Sequence, residues 1–184
     1  MNFLKKLYRC LFVWNIPPAS DAGLAQADAI VTQCCSRMRD GTPGLPNEVL
    51  AAVMRSLYEK YKLPMIPQEE LAMAAPELSY VGVAGGSFTG LSNFSWNTHT
   101  VAKFQLDLCK KNGWKKVIIV TFPEHMGRSV WVYSKLGLEP LPVSAPKIVY
   151  SDPGLIHWSC RGGRVRFIFR EFFCRLLFLF WGKI

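Results

Sequence analysis

The sequence contains no CxxC pair and no cluster of residues with metal-ligand spacing, so no metal site is expected. A P-loop, an HExxH helix and a G-x-G-x-x-G turn are also missing. These absences argue against a P-loop NTPase, a zincin and an ordinary dinucleotide dehydrogenase. No serine-histidine-acid order can be set from spacing. There is no internal repeat and no low-complexity segment. Uninterrupted apolar runs are short: FIFREFFCRLLFLFW near the C-terminus is broken by Arg170, Glu171 and Arg175. Spanning a bilayer takes about 20 apolar residues, so this segment is not expected to cross one. Acidic residues are scarce as well, at 13 against 22 Lys and Arg, for a formal charge of +9.

What is present suits a folded chain. Half of its 184 residues are hydrophobic, enough for one domain with a sizeable core. The charge is uneven. Residues 28–146 carry twelve basic and ten acidic groups, whereas residues 147–184 carry seven basic and two acidic. A basic tail suits nucleic acid, an anionic membrane surface or solubility alone. No RNA- or DNA-reading motif accompanies it, so nucleic acid is not the expected partner. The six cysteines are scattered and read as reduced cytosolic thiols. At the N-terminus, Phe3, Leu4, Leu7, Tyr8, Leu11 and Phe12 form a helical stripe among Lys5, Lys6 and Arg9. Ala25-Gln26-Ala27 fits a signal-peptidase site, but Asn15, the prolines and Asp21 separate it from the apolar run, so a cytoplasmic rather than secreted protein is expected. Residues 1–20 thus read as an amphipathic helix and linker, and 27–184 as one domain.

Within that domain, strands are expected at 27–33, 63–66, 79–85, 115–121 and 138–143, with KKVIIVT the clearest. Helices are expected between them. Asn47 caps the first, and Leu50, Val53, Met54, Leu57, Tyr58 and Tyr61 share its face. A short helix covers EELAMAA. Another, capped by Asn97 or Thr98, runs through Cys109 towards Gly113. The next follows 121 and ends at Lys135 with Gly137 as its C-cap, and the last covers 164–180. Alternation at βαβ spacing predicts a three-layer α/β/α Rossmann-like sandwich with a mainly parallel sheet of about five strands. In such sheets the ligand crevice lies beyond the carboxyl ends of the strands. Thr121, Glu124, His125 and Arg128 leave the end of the best strand there.

DAIV as a first strand, NTHT opening a helix, and KKVIIVTFPEHMGRSVWVYSKLG together resemble the YdcF-like (ElyC/SanA/YdcF) family. The family's T-x-x-x-H-x-x-R element is matched by Thr121, His125 and Arg128, and its site before the preceding helix by Thr98. GTPGLPNEVLA resembles the segment after the first strand, with Asn47 and Glu48 at its polar positions. YSDPGLIHWSCRGGRVRFIFRE resembles the C-terminal segment of one branch. The resemblance covers about residues 27–180. It implies an α/β domain whose biochemical activity is poorly defined, with some branches associated with the bacterial cell envelope. The chain departs from the family at the turn after the first strand. Many members have glycines there; this chain has Gln33, Cys34, Cys35 and Ser36, so side chains fill the space an anion cradle would need. Gly85-Gly86 offers another close approach.

Each candidate has a chemical and a structural reading. His125 suits an acid/base or ligand contact, or a first-turn bond to backbone. Arg128, three positions on and on the same face, suits a phosphate or carboxylate, or an ion pair with Glu124 or Glu48. Glu124 suits the helix N-terminus as well as chemistry. Asn97 and Thr98 read as caps that also suit an anion. His99 reads as a surface or packing residue. Asn47 and Glu48 are placed to face the crevice, as is one of Gln68, Glu69 and Glu70. Asp152 and Trp158 are placed to cover it, Trp158 mainly by packing. Cys34 is a nucleophile in position only, with no basic partner expected beside it. Two functions follow. One is a protein binding a small anionic or nucleotide-like ligand through Arg128, Thr121, Asn97, Thr98, Asn47 and Glu48, with His125 as acid/base; whether it is an enzyme, and with what cofactor, stays open. The other is a non-enzymatic envelope or membrane-surface protein using its basic amphipathic ends, residues 1–14 above all.

Overall fold

A computed structural model of the chain describes residues 8, 15–35, 37–85, 97–143, 154–155 and 163–181, with side chains up to residue 177. The expected N-terminal helix, of which only Tyr8 is described, and Gly86, Asp152 and Trp158 lie outside the described residues. Four strands form one parallel sheet: β1 (Ala29–Thr32), β2 (Met65–Ile66), β3 (Lys116–Val120) and β4 (Glu139–Pro142), in the order β2-β1-β3-β4. The helices are α1 (Asp21–Leu24), α2 (Leu45–Tyr61), α3 (Glu69–Ala74), α4 (Thr98–Lys111), α5 (Pro123–Lys135) and α6 (Gly163–Trp181).

Strand alternation sorts the core into two layers. Ile30, Ile118 and Val120 pack towards Leu50, Met54 and Leu57 of α2 and Phe167 of α6. Ala29, Val31, Val117 and Ile119 pack towards Ala102, Leu106 and Cys109 of α4 and Val132 and Tyr133 of α5. Both faces of the parallel sheet are thereby covered, as its near-continuous apolar strands require. This is the expected α/β/α Rossmann-like layering, with one strand fewer.

The missing strand is 79–85. Val81 N donates to Met65 O at 3.0 Å and Ala84 N to Pro67 O at 2.9 Å, but only the Gln68–Ala84 pair forms a bridge. Two glycines explain the break. A Cβ on Gly82 would come within 2.5 Å of Leu108 Cδ1, and one on Gly85 within 2.3 Å of Glu69 Oε2. The segment is selected for close approach to neighbouring side chains, not for a ladder. At the opposite edge, β4 carries Pro140 and Pro142. Glu139 N and Val143 N donate to Lys115 O and Ile119 O on the β3 side, so the prolines fall where no ladder donor is needed. Ala19 N covers the outer Pro142 carbonyl at 2.8 Å.

Helix ends also differ in detail. α2 begins at Leu45 with Gly44 as N-cap at φ 73°, so Asn47 lies inside the first turn and does not cap it. Asn97 caps α4, accepting from His99 N and Thr100 N, and Thr100 closes the capping box. Gly137, at φ 89°, follows the C-cap Leu136 of α5 and turns the chain into β4.

The connections set the site. From β1 the chain crosses through α2 to β2 on one side; from β3 it crosses through α5 to β4 on the other. The order therefore reverses between β1 and β3. In a doubly wound sheet this switch point opens a crevice at the carboxyl ends of the two strands.

Candidate functional site

Gln33 follows β1, Thr98 opens α4, His125 and Arg128 occupy the first turns of α5, and Glu171 and Arg175 project from α6. These elements bring them together at the switch point. Gln33, His125, Arg128, Glu171 and Arg175 are all buried, at no more than 5% exposure. Burial of so many polar groups is tolerable only if they satisfy one another.

They do, and the directions of the hydrogen bonds can be worked out. Arg128 grips the Glu171 carboxylate with a fork: Nε donates to Oε1 at 2.8 Å and Nη2 to Oε2 at 2.9 Å. The same Nη2 lies 3.1 Å from His125 Nδ1. Glu171 Oε2 also lies near Nδ1, at 3.4 Å, but the guanidinium contact is the shorter; a guanidinium has no acceptor, so Nδ1 accepts from Arg128 and the imidazole proton sits on Nε2. Nε2 then donates to Gln33 Oε1 at 2.7 Å, with Thr98 Oγ1 at 3.3 Å beside it. Gln33 Oε1 also accepts from Ser129 Oγ, while Gln33 Nε2 donates to Thr98 O and to the Tyr133 hydroxyl. Tyr133 donates to Gln105 Oε1, and Gln105 Nε2 donates to Thr32 O and Ile66 O at the ends of β1 and β2. One relay of consistent polarity thus runs from α6 to the ends of two strands.

The charge states follow from the packing. Burial, and then the adjacent Arg128, push His125 down to about 4, so the ring is neutral near pH 7. Its face stacks on Phe122 at a centroid distance of 5.1 Å. Burial, the largest single influence, raises Glu171, but Arg128 and His125 together outweigh it and hold the carboxyl at about 2. Burial opposes the charge on Arg128, yet Glu171 raises its affinity for the proton above the ordinary arginine value. Burial also raises the Tyr133 hydroxyl, which keeps its proton for Gln105. Tyr133→Phe should strand the Gln105 carbonyl and cost about 1–3 kcal/mol in urea unfolding; no change would show that the hydroxyl does not carry the relay.

The structure separates the remaining candidates. Arg128 pairs with Glu171, whereas Glu124 pairs with Arg164 at 2.6 Å and Glu48 is exposed. Asn47 is buried away from the relay: Oδ1 accepts from Cys35 N at 2.9 Å and Nδ2 donates to Pro43 O, tying down the turn after β1. Asn97 is exposed and occupied by its capping bonds. Gln68 Oε1 accepts from Cys34 N, and Glu69 pairs with Arg37 at 3.0 Å, both near the end of β2. Thr121 is fully buried at the end of β3, and among the described residues its Oγ1 has no hydrogen-bond partner. A cavity of about 400 Å³ opens beside the first turn of α5, lined by Ile16, Pro17, Pro123, Met126 and Val143 among others; Thr98, His125 and Arg128 do not line it. Among the described residues no group of three His, Cys, Asp or Glu is placed to hold a metal ion.

Glu171 and Arg175 are the participants that sequence reasoning missed. They were visible only as charges breaking an apolar run. Their four-residue spacing, on the same stripe as the buried Phe167, was the usable signal. Gln33 was visible as a side chain filling the turn, but its partners were not. A scan against protein-family models finds no matching family, and a search of curated proteins finds no match.

Proposed function

We propose that the protein binds a small anionic or nucleotide-like ligand at the β1/β3 switch point, where a doubly wound sheet opens its crevice. The observation that carries the reading is the cluster itself: Gln33, Thr98, His125, Arg128 and Glu171 converge from separate elements on the place where this sheet type takes its ligands. Arg128's fork is closed on Glu171, so an anionic ligand would reach it by displacing that carboxylate. Thr121 adds a buried hydroxyl that the described protein groups leave unused. His125 is the acid/base candidate in this reading. Both its nitrogens are engaged by protein groups, so proton transfer would require the Gln33 or Arg128 contact to open. The four described free thiols, at Cys34, Cys35, Cys109 and Cys174, suit a reducing cytoplasmic setting.

Thermal-shift titration with nucleotides, S-adenosylmethionine and sugar phosphates tests the reading on the parent chain, Arg128→Ala and Thr121→Val. Thr121→Val removes an unsatisfied buried hydroxyl at nearly constant shape. Without ligand it should therefore be more stable than the parent by about 1 kcal/mol. With ligand, both variants should lose most of the parent's shift. No shift for any compound, or equal shifts in all three proteins, defeats the proposal.

A further inference from the structure

The face of α6 turned away from the sheet presents a second surface. Phe167, Glu171 and Arg175 point inwards and are at most 1% exposed. On the other side, Val165 is 80% exposed, Phe169 60%, Phe173 46% and Leu177 41%. The spacing is four residues throughout, which places the four side chains in one ridge along the helix. Phe169 and Phe173 meet edge to face at 4.8 Å. Arg166 and Arg170 run beside this ridge, and among the described residues neither has a carboxylate within ion-pair distance. The helix's single acid, Glu171, is consumed inside by Arg128 and Arg175.

We propose that this face of α6 docks on an anionic lipid surface, with the aromatic ridge among the acyl chains and Arg166 and Arg170 at the headgroups. Charge complementarity selects the occupant: the outer face of the helix bears cations and no exposed acid. Shape agrees, because a narrow convex ridge of Phe, Val and Leu enters a lipid interface without needing a matching groove. No helix among the described residues is long and apolar enough to cross a membrane, so α6 lies in the interface plane. The ridge from Val165 to Leu177 gives a contact line of about 18 Å. The arginine stems can lie along the apolar surface while their heads reach phosphate oxygens. This docking stands on residues outside the switch-point cluster and does not depend on the ligand reading.

Flotation of the full chain with phosphatidylcholine vesicles, with and without phosphatidylglycerol, tests it. The parent should float with the anionic vesicles, less so at high salt. Phe169→Ser with Phe173→Ser should weaken partitioning by tenfold or more, on the order expected for two lost aromatic insertions. Arg166→Gln with Arg170→Gln should lower binding to anionic vesicles by about 30-fold and leave the neutral ones unaffected. Circular dichroism should show both variants folded, since the changed side chains lie on the outer face. Parent protein that stays with the soluble fraction overturns the proposal. So does flotation of the double phenylalanine variant at the parent's level, which would assign binding to residues 1–14 or to charge alone. So does a parent dimer, dispersed by those same substitutions, that ignores vesicles; a second copy would then own the face.

Discussion

Glu171→Ala should unfold at markedly lower urea concentration than the parent, corresponding to a loss of about 3–5 kcal/mol. The size follows from what the substitution leaves behind. Arg128 and Arg175 are 4% and 1% exposed, and both direct donors at this carboxylate. Without it, two guanidiniums remain in the interior at close quarters. Arg175 keeps its bond to Glu124 O at 3.0 Å, and a Cβ on Gly127 would come within 2.8 Å of its Nη2, so the side chain is confined where it lies. Arg128 loses both arms of its fork. The ion pair itself need not be a large net source of stability, because desolvating three charges offsets most of their attraction. The triple replacement Arg128→Met, Glu171→Leu, Arg175→Leu should accordingly recover much of what the single substitution loses. A cost below about 1 kcal/mol for Glu171→Ala would mean that α6 does not seat its carboxylate on α5.

This dependence on α6 also explains what was legible beforehand. The sheet was readable because its signal is local: AIV in β1 and VIIV in β3 are apolar and fully buried, as strands covered on both faces must be. The caps and glycine turns are local too, and Asn97 and Gly137 fell where their chemistry predicts. The 79–85 segment misled because Val81 and Val83 suggest a strand, while Gly82 and Gly85 answer to contacts with Leu108 and Glu69 that no window of sequence contains. The site divides in the same way. Thr121, His125 and Arg128 could be placed from their position after the best strand. Their partners could not, since Gln33 and Glu171 lie 92 and 46 residues from His125. An arginine near a strand end looks the same in sequence whether it awaits a ligand or already holds a carboxylate from another helix. Glu48 and Glu124 were nearer and more obvious partners, but the first points to solvent and the second pairs with Arg164.

Stability should fall steadily on acidification, beginning well above the range where carboxylates titrate. His125 binds a proton at about 4 in the folded chain and at about 6.5 when unfolded. Between these values the unfolded chain takes up a proton that the native state refuses, so stability is lost as pH drops through the window. The full loss, reached near the lower value, is on the order of 3 kcal/mol. Glu171 acts in the same direction further down. Its folded value of about 2 lies below the ordinary 4.5, so its contribution is present above 4.5 and disappears as pH falls towards 2. Urea midpoints measured from pH 8 to 3 should therefore slope first through the histidine window and then through the carboxylate window. His125→Gln separates the two. It should flatten the profile between about pH 6.5 and 5 while leaving the lower limb, because the neutral amide no longer makes the unfolded chain a better proton acceptor. A parent profile that is flat from pH 7 to 5 would mean that the ring protonates as readily in the folded chain as in the unfolded one. It would also remove the basis for assigning Nε2–H as the donor to Gln33, since that tautomer requires a neutral imidazole locked against Arg128.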